Sequence, residues 1–300
     1  MFDRLSNRGV AIIFAILGII LFSAKAVMVK LAYTYGVDHL TLLLFRMLFA
    51  FPFYIGIAIF TKSNAAQNPS SKDYLWLLLF GFLGYYLASL FDFMGLQYIK
   101  AGLERIILFI YPTIVVLLSW LFFKNKLTRN QFFAIIITYI GVLITFWDEL
   151  GIAGDTVYWG SFLIFLSAFT YASYLVGSGW LIPKFGVLRF TSYAMIVSTF
   201  CVVIHYSFVA DFDLFHYPME VYSLGAAMAI FSTLIPSFLV SEAIRRLGAS
   251  TFSIFGSLGP ISTIILAFFF LDERVTIIQI FGMMVVIFGV TLVSRKKQTS

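Results

Sequence analysis

Phe122-Phe123-Lys124-Asn125-Lys126-Leu127-Thr128 and, 148 positions later, Phe270-Leu271-Asp272-Glu273-Arg274-Val275-Thr276 are the two stretches on which the fold turns. Each ends a long apolar run with a short charged break, and the same offset aligns further uncommon residues on both sides. Ala101 meets Ala249, Pro112 meets Pro260, Gln131 meets Gln279, and Gly141-Val142 meets Gly289-Val290. An offset that holds over this distance is the mark of a duplicated unit. It divides the chain into residues 1–148 and 149–300.

The runs flanking these breaks are those of a membrane protein. Residues are 61% hydrophobic and 11% charged, with a mean hydropathy of +0.99, whereas a soluble domain is charged at about a quarter of its positions. This excludes a water-soluble fold, because 36 Phe and 16 Tyr need a solvent that accepts them, and lipid is that solvent. Crossing the hydrocarbon core takes roughly 20 apolar residues, and such runs are expected at 10–33, 40–60, 74–98, 104–123, 131–147, 158–180, 190–209, 220–241, 249–271 and 277–294. The expected fold is an all-α integral membrane protein of ten transmembrane helices. The first helix, with Ala24-Lys25-Ala26 only weakly resembling a cleavage site, is read as retained rather than as a signal peptide.

Each repeat holds five of these runs, an odd number, so the second copy is expected upside down relative to the first. Loop charges agree with this. With the N-terminus cytoplasmic, fourteen of the 20 Lys and Arg fall in inner loops, Lys100, Arg105 and Arg274 fall outside, and Lys25, Lys30 and Arg46 fall within helices. Lys124-Asn125-Lys126 on the inner side has become Asp272-Glu273-Arg274 on the outer side. Both termini are expected in the cytoplasm of a bacterial plasma (inner) membrane. Inverted repeats favour secondary transport, because two near-equivalent halves can expose one central site to either side.

The stretch from Gly95-Leu96-Gln97 through Tyr111-Pro112 to Leu127-Thr128, together with its second copy from Gly248-Ala249-Ser250 to Thr276, resembles the EamA-like families of the drug/metabolite transporter superfamily. Arg46 in Leu44-Phe45-Arg46 resembles an arginine common early in the second helix of that family. The resemblance implies a cavity lined mainly by helices one, three, four, six, eight and nine. It also implies transport of metabolites such as amino acids, nucleobases or sugars. The small multidrug relatives carry a glutamate in helix one for proton coupling, whereas this helix carries Lys25 and Lys30, so the resemblance does not extend to proton-coupled export of cationic drugs.

Buried charges identify candidate site residues, because each costs about 2.5 kcal/mol or more to insert unless it pairs or meets water. At about 1.5 Å per residue, Lys25, Arg46 and Asp92 lie roughly 5–10 Å to the outer side of the midplane, at one depth. An Arg46–Asp92 or a Lys25–Asp92 pair leaves one cation over, which suits an anionic group on a solute. Lys30 lies nearer the helix end, where it can snorkel. Tyr85, Ser89 and Asp92 fall on one face of helix three, and Tyr171 and Tyr174 on one face of helix six. Pro112 and Pro260 remove a backbone hydrogen bond at matching places, which points to the binding site. Tyr111, Gly256 and Gly259 are expected beside these breaks, with Pro236 adding a kink in helix eight. Gly282 and Gly289 read as close-packing positions.

Cys201 is a lone core residue, and His39, His205 and His216 show no metal-ligand spacing. Neither a metal nor a cofactor is expected. The net charge of +6 is spread over short loops and does not point to nucleic acid. The absence of a phosphate-binding Gly-rich motif argues against an ATP-driven pump. The expected partners are the bilayer, a small polar solute and a coupling ion or proton. The competing classes are a membrane enzyme acting on lipid-linked substrates, which needs paired carboxylates near one interface, and a channel, which needs a continuous polar pore.

Overall fold

The computed structural model describes residues 7–61, 69–123, 129–153, 155–209, 214–256 and 258–294, and all their regular secondary structure is helical. In chain order the helices are α1 (Asn7–Tyr33), α2 (His39–Phe60), α3 (Ser71–Leu96), α4a (Ala101–Leu108), α4b (Tyr111–Phe123), α5 (Arg129–Ala153), α6 (Thr156–Phe185), α7 (Val187–Val209), α8 (Met219–Leu247), α9a (Ala249–Phe255), α9b (Leu258–Leu271) and α10 (Ile277–Ser294). Among the described residues, eight helical stretches are long and apolar enough to cross a bilayer, counting α4a–α4b and α9a–α9b as one each. The two other expected spans coincide with α5 and α10, whose apolar segments Ile135–Ile144 and Ile277–Gly289 are shorter. The outward faces carry Phe208, Phe269 and Ile277 largely exposed, as befits a helical protein whose solvent is lipid.

Two helices contain a π turn, Phe82–Leu87 in α3 and Ile230–Leu234 in α8. The second directly precedes Pro236, which has no N–H to return to the carbonyl one turn earlier. Pro112 and Pro260 mark true interruptions. Helix four is broken at Phe109–Ile110, and helix nine between Phe255 and Leu258.

One end of the bundle is defined by contacts between loops and helix ends. Lys30 Nζ donates to the carbonyls of Leu96 and Ile99, each at 3.1 Å, and Tyr33 Oη donates to that of Phe93 at 2.6 Å. Here too the Glu273 carboxylate accepts from the N–H groups of Ala101 and Gly102, at 3.0 and 3.1 Å. At the opposite end Lys184 pairs with Asp73 at 2.6 Å, and Arg189 Nε donates to the Thr61 carbonyl at 3.1 Å. Helix four therefore departs from the end at which helix nine arrives, and the two run antiparallel.

Close approach fixes the flanks. α5 packs along α10 with Gly141 against Gly282, so near that a Cβ on Gly141 would lie 2.8 Å from the Gly282 carbonyl oxygen. α2 packs on α7, and α1, α3, α6 and α8 stand together with α4 and α9 around the centre.

Candidate functional site

The centre holds a cleft with about 760 Å³ of empty space, open solvent at its mouth included. Helix α1 contributes Ile19, Phe22 and Lys25, α2 contributes Arg46, and the π turn of α3 with the turn after it contributes Gly84, Tyr85, Ala88 and Ser89. Arg105, Leu108, Phe109 and Tyr111 enter from helix four, Ser167 and Tyr171 from α6, Thr233 from the π turn of α8, and Phe252, Gly256 and Gly259 from helix nine. The breaks in helices four and nine and both π turns thus face one space. Irregular backbone at membrane depth is tolerated where protein or a cavity surrounds it, and π turns recur at functional sites.

Of the residues expected to bind solute, Lys25, Arg46, Tyr85, Ser89, Tyr111 and Tyr171 line the cleft, as do Gly256 and Gly259. Asp92 lies behind the lining, 2.7 Å from Lys25 Nζ through Oδ2, so the ion pair joins α1 to α3. Tyr174 also stands behind, its ring 5.0 Å from that of Tyr85 and 6.3 Å from that of Tyr171. Pro112, Pro236 and Pro260, which point to the binding site in the sequence, are not themselves among the lining residues. They shape the breaks and the kink, while their neighbours Tyr111, Thr233, Gly256 and Gly259 form the wall. A proline ring packs sideways into its own helix, so the space it opens falls to adjacent residues.

Arg46 is a buried cation of the cleft with no carboxylate in contact among the described residues. It is 2% exposed, Nη2 donates to Ser89 Oγ at 2.7 Å, and the guanidinium lies 4.9 Å from the Phe93 ring centre. Among the described residues, Nε has no hydrogen-bond partner and no carboxylate lies within 4.0 Å of the guanidinium.

Arg105, counted with the outer-side charges, and its neighbour Glu104 are buried in the protein. Helix four starts at Ala101 and carries both into the buried centre. Arg105 Nε donates to Thr263 Oγ1 at 3.0 Å and Nη2 to the Phe22 carbonyl at 3.0 Å, linking α4a to α9b and α1. Across the cleft the Tyr111 hydroxyl reaches helix nine, where it occupies the place a Cβ on Gly256 would take. The wall is completed by Tyr111 against Tyr171, ring centres 5.4 Å apart. Buried cations and hydroxyls converge on an aromatic-walled space, and no cluster of three or more His, Cys, Asp or Glu side chains that could hold a metal ion lies among the described residues.

The EamA-like transporter family matches the chain twice, over residues 9–147 and 158–295. The chain belongs to that family. An uncharacterized transporter YcbK of Bacillus subtilis (strain 168) is 28% identical, covering 98% of this chain and 96% of that one. An uncharacterized transporter of Synechocystis sp., sll1319, is 27% identical over 85% of this chain and 79% of its own. A solved crystal structure at 14% identity superposes with a TM-score of 0.65, covering 94% of this chain and 95% of that one, which shows a shared fold. Membership in the EamA-like family points to a membrane transporter rather than an enzyme, with a lipid bilayer and a small-molecule solute as its partners.

Proposed function

We propose that this EamA-like protein is a secondary transporter that moves a small polar metabolite bearing an anionic group, a carboxylate foremost, by alternating access through the central cleft. The observation that carries this is Arg46, a fully buried cation on the cleft with a free Nε and no carboxylate partner among the described residues. Asp92 acts on Arg46 only from beyond ion-pair distance; a buried charge without a contacting counter-ion is costly, and an anionic solute would supply one. Tyr85, Tyr111 and Tyr171 would pack an organic body, while Ser89 would hold the guanidinium in place.

The wider reading is of ten spans in two inverted halves, residues 1–148 and 149–300, with both termini cytoplasmic in a bacterial inner membrane. Its support is the double family match, the antiparallel course of helices four and nine, and π turns and helix breaks spaced by the 148-residue offset.

The test is a thermal-stabilisation screen of purified protein against amino acids, nucleobases, sugars and their acids, followed by counterflow in proteoliposomes for each hit. Arg46→Gln removes one charge-assisted contact of about 1.5–3 kcal/mol, so the solute's half-saturation concentration is expected to rise roughly ten- to hundredfold. Unchanged affinity in a folded Arg46→Gln protein removes Arg46 from the site. Flux without saturation or counterflow indicates a channel, and chemically altered solute an enzyme.

A further inference from the structure

One buried group is unused by solute binding as described. Glu104 is 0% exposed and Asp92 is 1% exposed. Among the described residues, no protein N–H or O–H donates to either Glu104 oxygen. The adjacent Arg105 stands off at 3.7 Å and gives its hydrogen bonds to Thr263 and the Phe22 carbonyl. The carboxyl groups of Glu104 and Asp92 lie within hydrogen-bonding reach of each other. Two carboxylates are both acceptors, and a contact between them needs a proton to serve as donor.

We infer that Asp92 and Glu104 form a proton-binding site whose occupancy is coupled to the anion in the cleft. In the protonated state one carboxyl carries the O–H bond and donates to the other, while Lys25 neutralises the charge that remains. Release breaks that O–H bond, sends the proton to water and leaves two carboxylates. These are then compensated by Lys25 at 2.7 Å and by Arg105, which also lines the cleft. The sign of coupling follows. Protonating the pair frees the positive charge of Arg105 to act on an anion beside Arg46, and deprotonating it turns that charge back on Glu104. Proton and anion therefore bind together and move in the same direction.

The groups around the pair are consistent with one exchangeable proton. Lys25 and Tyr33 face it from α1, Arg46 acts on Asp92 from α2, Arg105 faces it from α4a, and Tyr171 lies beyond Arg105 on α6. Thr263 of α9b holds Arg105, and Glu273 is engaged at the α4a N-terminus. On α5, Asp148 and Glu149 lie outside the described side chains.

The coupling rests on the transport reading, whereas the proton site is testable without solute. Full-length protein in liposomes on a solid-supported membrane is given a pH jump with the proton as the only probe. Infrared difference spectra between acidic and alkaline buffer then read the carboxylic C=O stretch. Wild type is expected to give a charge-movement transient and a buried-acid C=O component. Glu104→Gln, and Asp92→Asn as a second variant, are expected to lose both while eluting as monodisperse folded protein. A transient and C=O component equal to wild type in the folded variants overturns the inference. If no anion gives counterflow while both variants lose the signal, the transport reading fails and the proton site stands. If counterflow is found and the signal is unchanged, the reverse holds.

Discussion

The Glu273–α4a contact gives a prediction that needs no solute. The first N–H groups of a helix have no intrahelical acceptor, and here those of Ala101 and Gly102 are met by a single carboxylate 172 and 171 residues away in sequence. Hydrogen bonds to a charged group contribute about 1.5–3 kcal/mol each, and the helix dipole adds a few tenths. Glu273 is half-exposed, so water replaces part of what is lost. Glu273→Ala is therefore expected to cost about 2–3 kcal/mol of local stability, raising the opening equilibrium roughly 30- to 150-fold. Glu273→Gln keeps one acceptor and loses the charge, for about half that free energy. Amide hydrogen exchange resolved to residues 101–104 measures this, with faster exchange expected there and little change in α7, which the contact does not touch. Equal exchange of Ala101 and Gly102 in wild type and Glu273→Ala would refute the argument that this carboxylate holds helix four in place.

Two further perturbations test the packing. Lys25→Met strands Asp92 without its ion pair and is expected to destabilise the protein by about 3–5 kcal/mol, whereas Lys25→Met with Asp92→Leu recovers most of it, because an apolar pair replaces a buried ionic one at little cost. A thermal-unfolding series on the purified variants decides, and equal loss in single and double variants counts against the pair. Gly141→Leu drives a side chain into the backbone of α10, where the Val286 nitrogen also lies 2.8 Å from the position its Cβ would take, and is expected to cost about 1–3 kcal/mol or more. Gly56→Leu, with nothing within 4 Å of its Cβ position, is the control expected to leave the unfolding temperature unchanged.

Much of the architecture was legible in the chain. Apolar runs place the helices to within six residues at their ends, the prolines locate the breaks in helices four and nine, and of the three charges read at one depth Lys25 and Asp92 form an ion pair. Glu104 and Arg105 escaped for a physical reason. Helix starts are read from a local cap such as Ser, Thr, Asp or Asn, and Lys100 before Ala101 is none of these. The cap comes instead from Glu273, a contact created only by the fold, so the helix begins three residues before the expected run at 104–123, and Glu104 and Arg105, at the very start of that run, lie buried within the helix. The π turns escaped similarly. Phe82–Leu87 contains no proline, and one added residue in a turn leaves no trace in apolar periodicity, yet it re-aims Tyr85 relative to Ser89 and Asp92, which share the regular helical turns that follow.

The matched irregularities and the unmatched charges divide the labour between the proposed halves. Phe82 and Ile230, where the π turns begin, are separated by the same 148 positions as Pro112 and Pro260. The charges are not shared: Lys25, Arg46, Asp92, Glu104 and Arg105 stand opposite Ser173, Ala194, Val240, Phe252 and Ser253 at that offset. In alternating access each half must adopt both shapes in turn, so points where the helical hydrogen-bond ladder is already interrupted are needed twice, at equivalent depths. A solute held at the centre meets the same side chains in either state, so its recognition is needed only once. Selection on hinge geometry then acts on both copies together, whereas the buried charges are free to gather in one, and they gather where α1, α2, α3 and α4a meet.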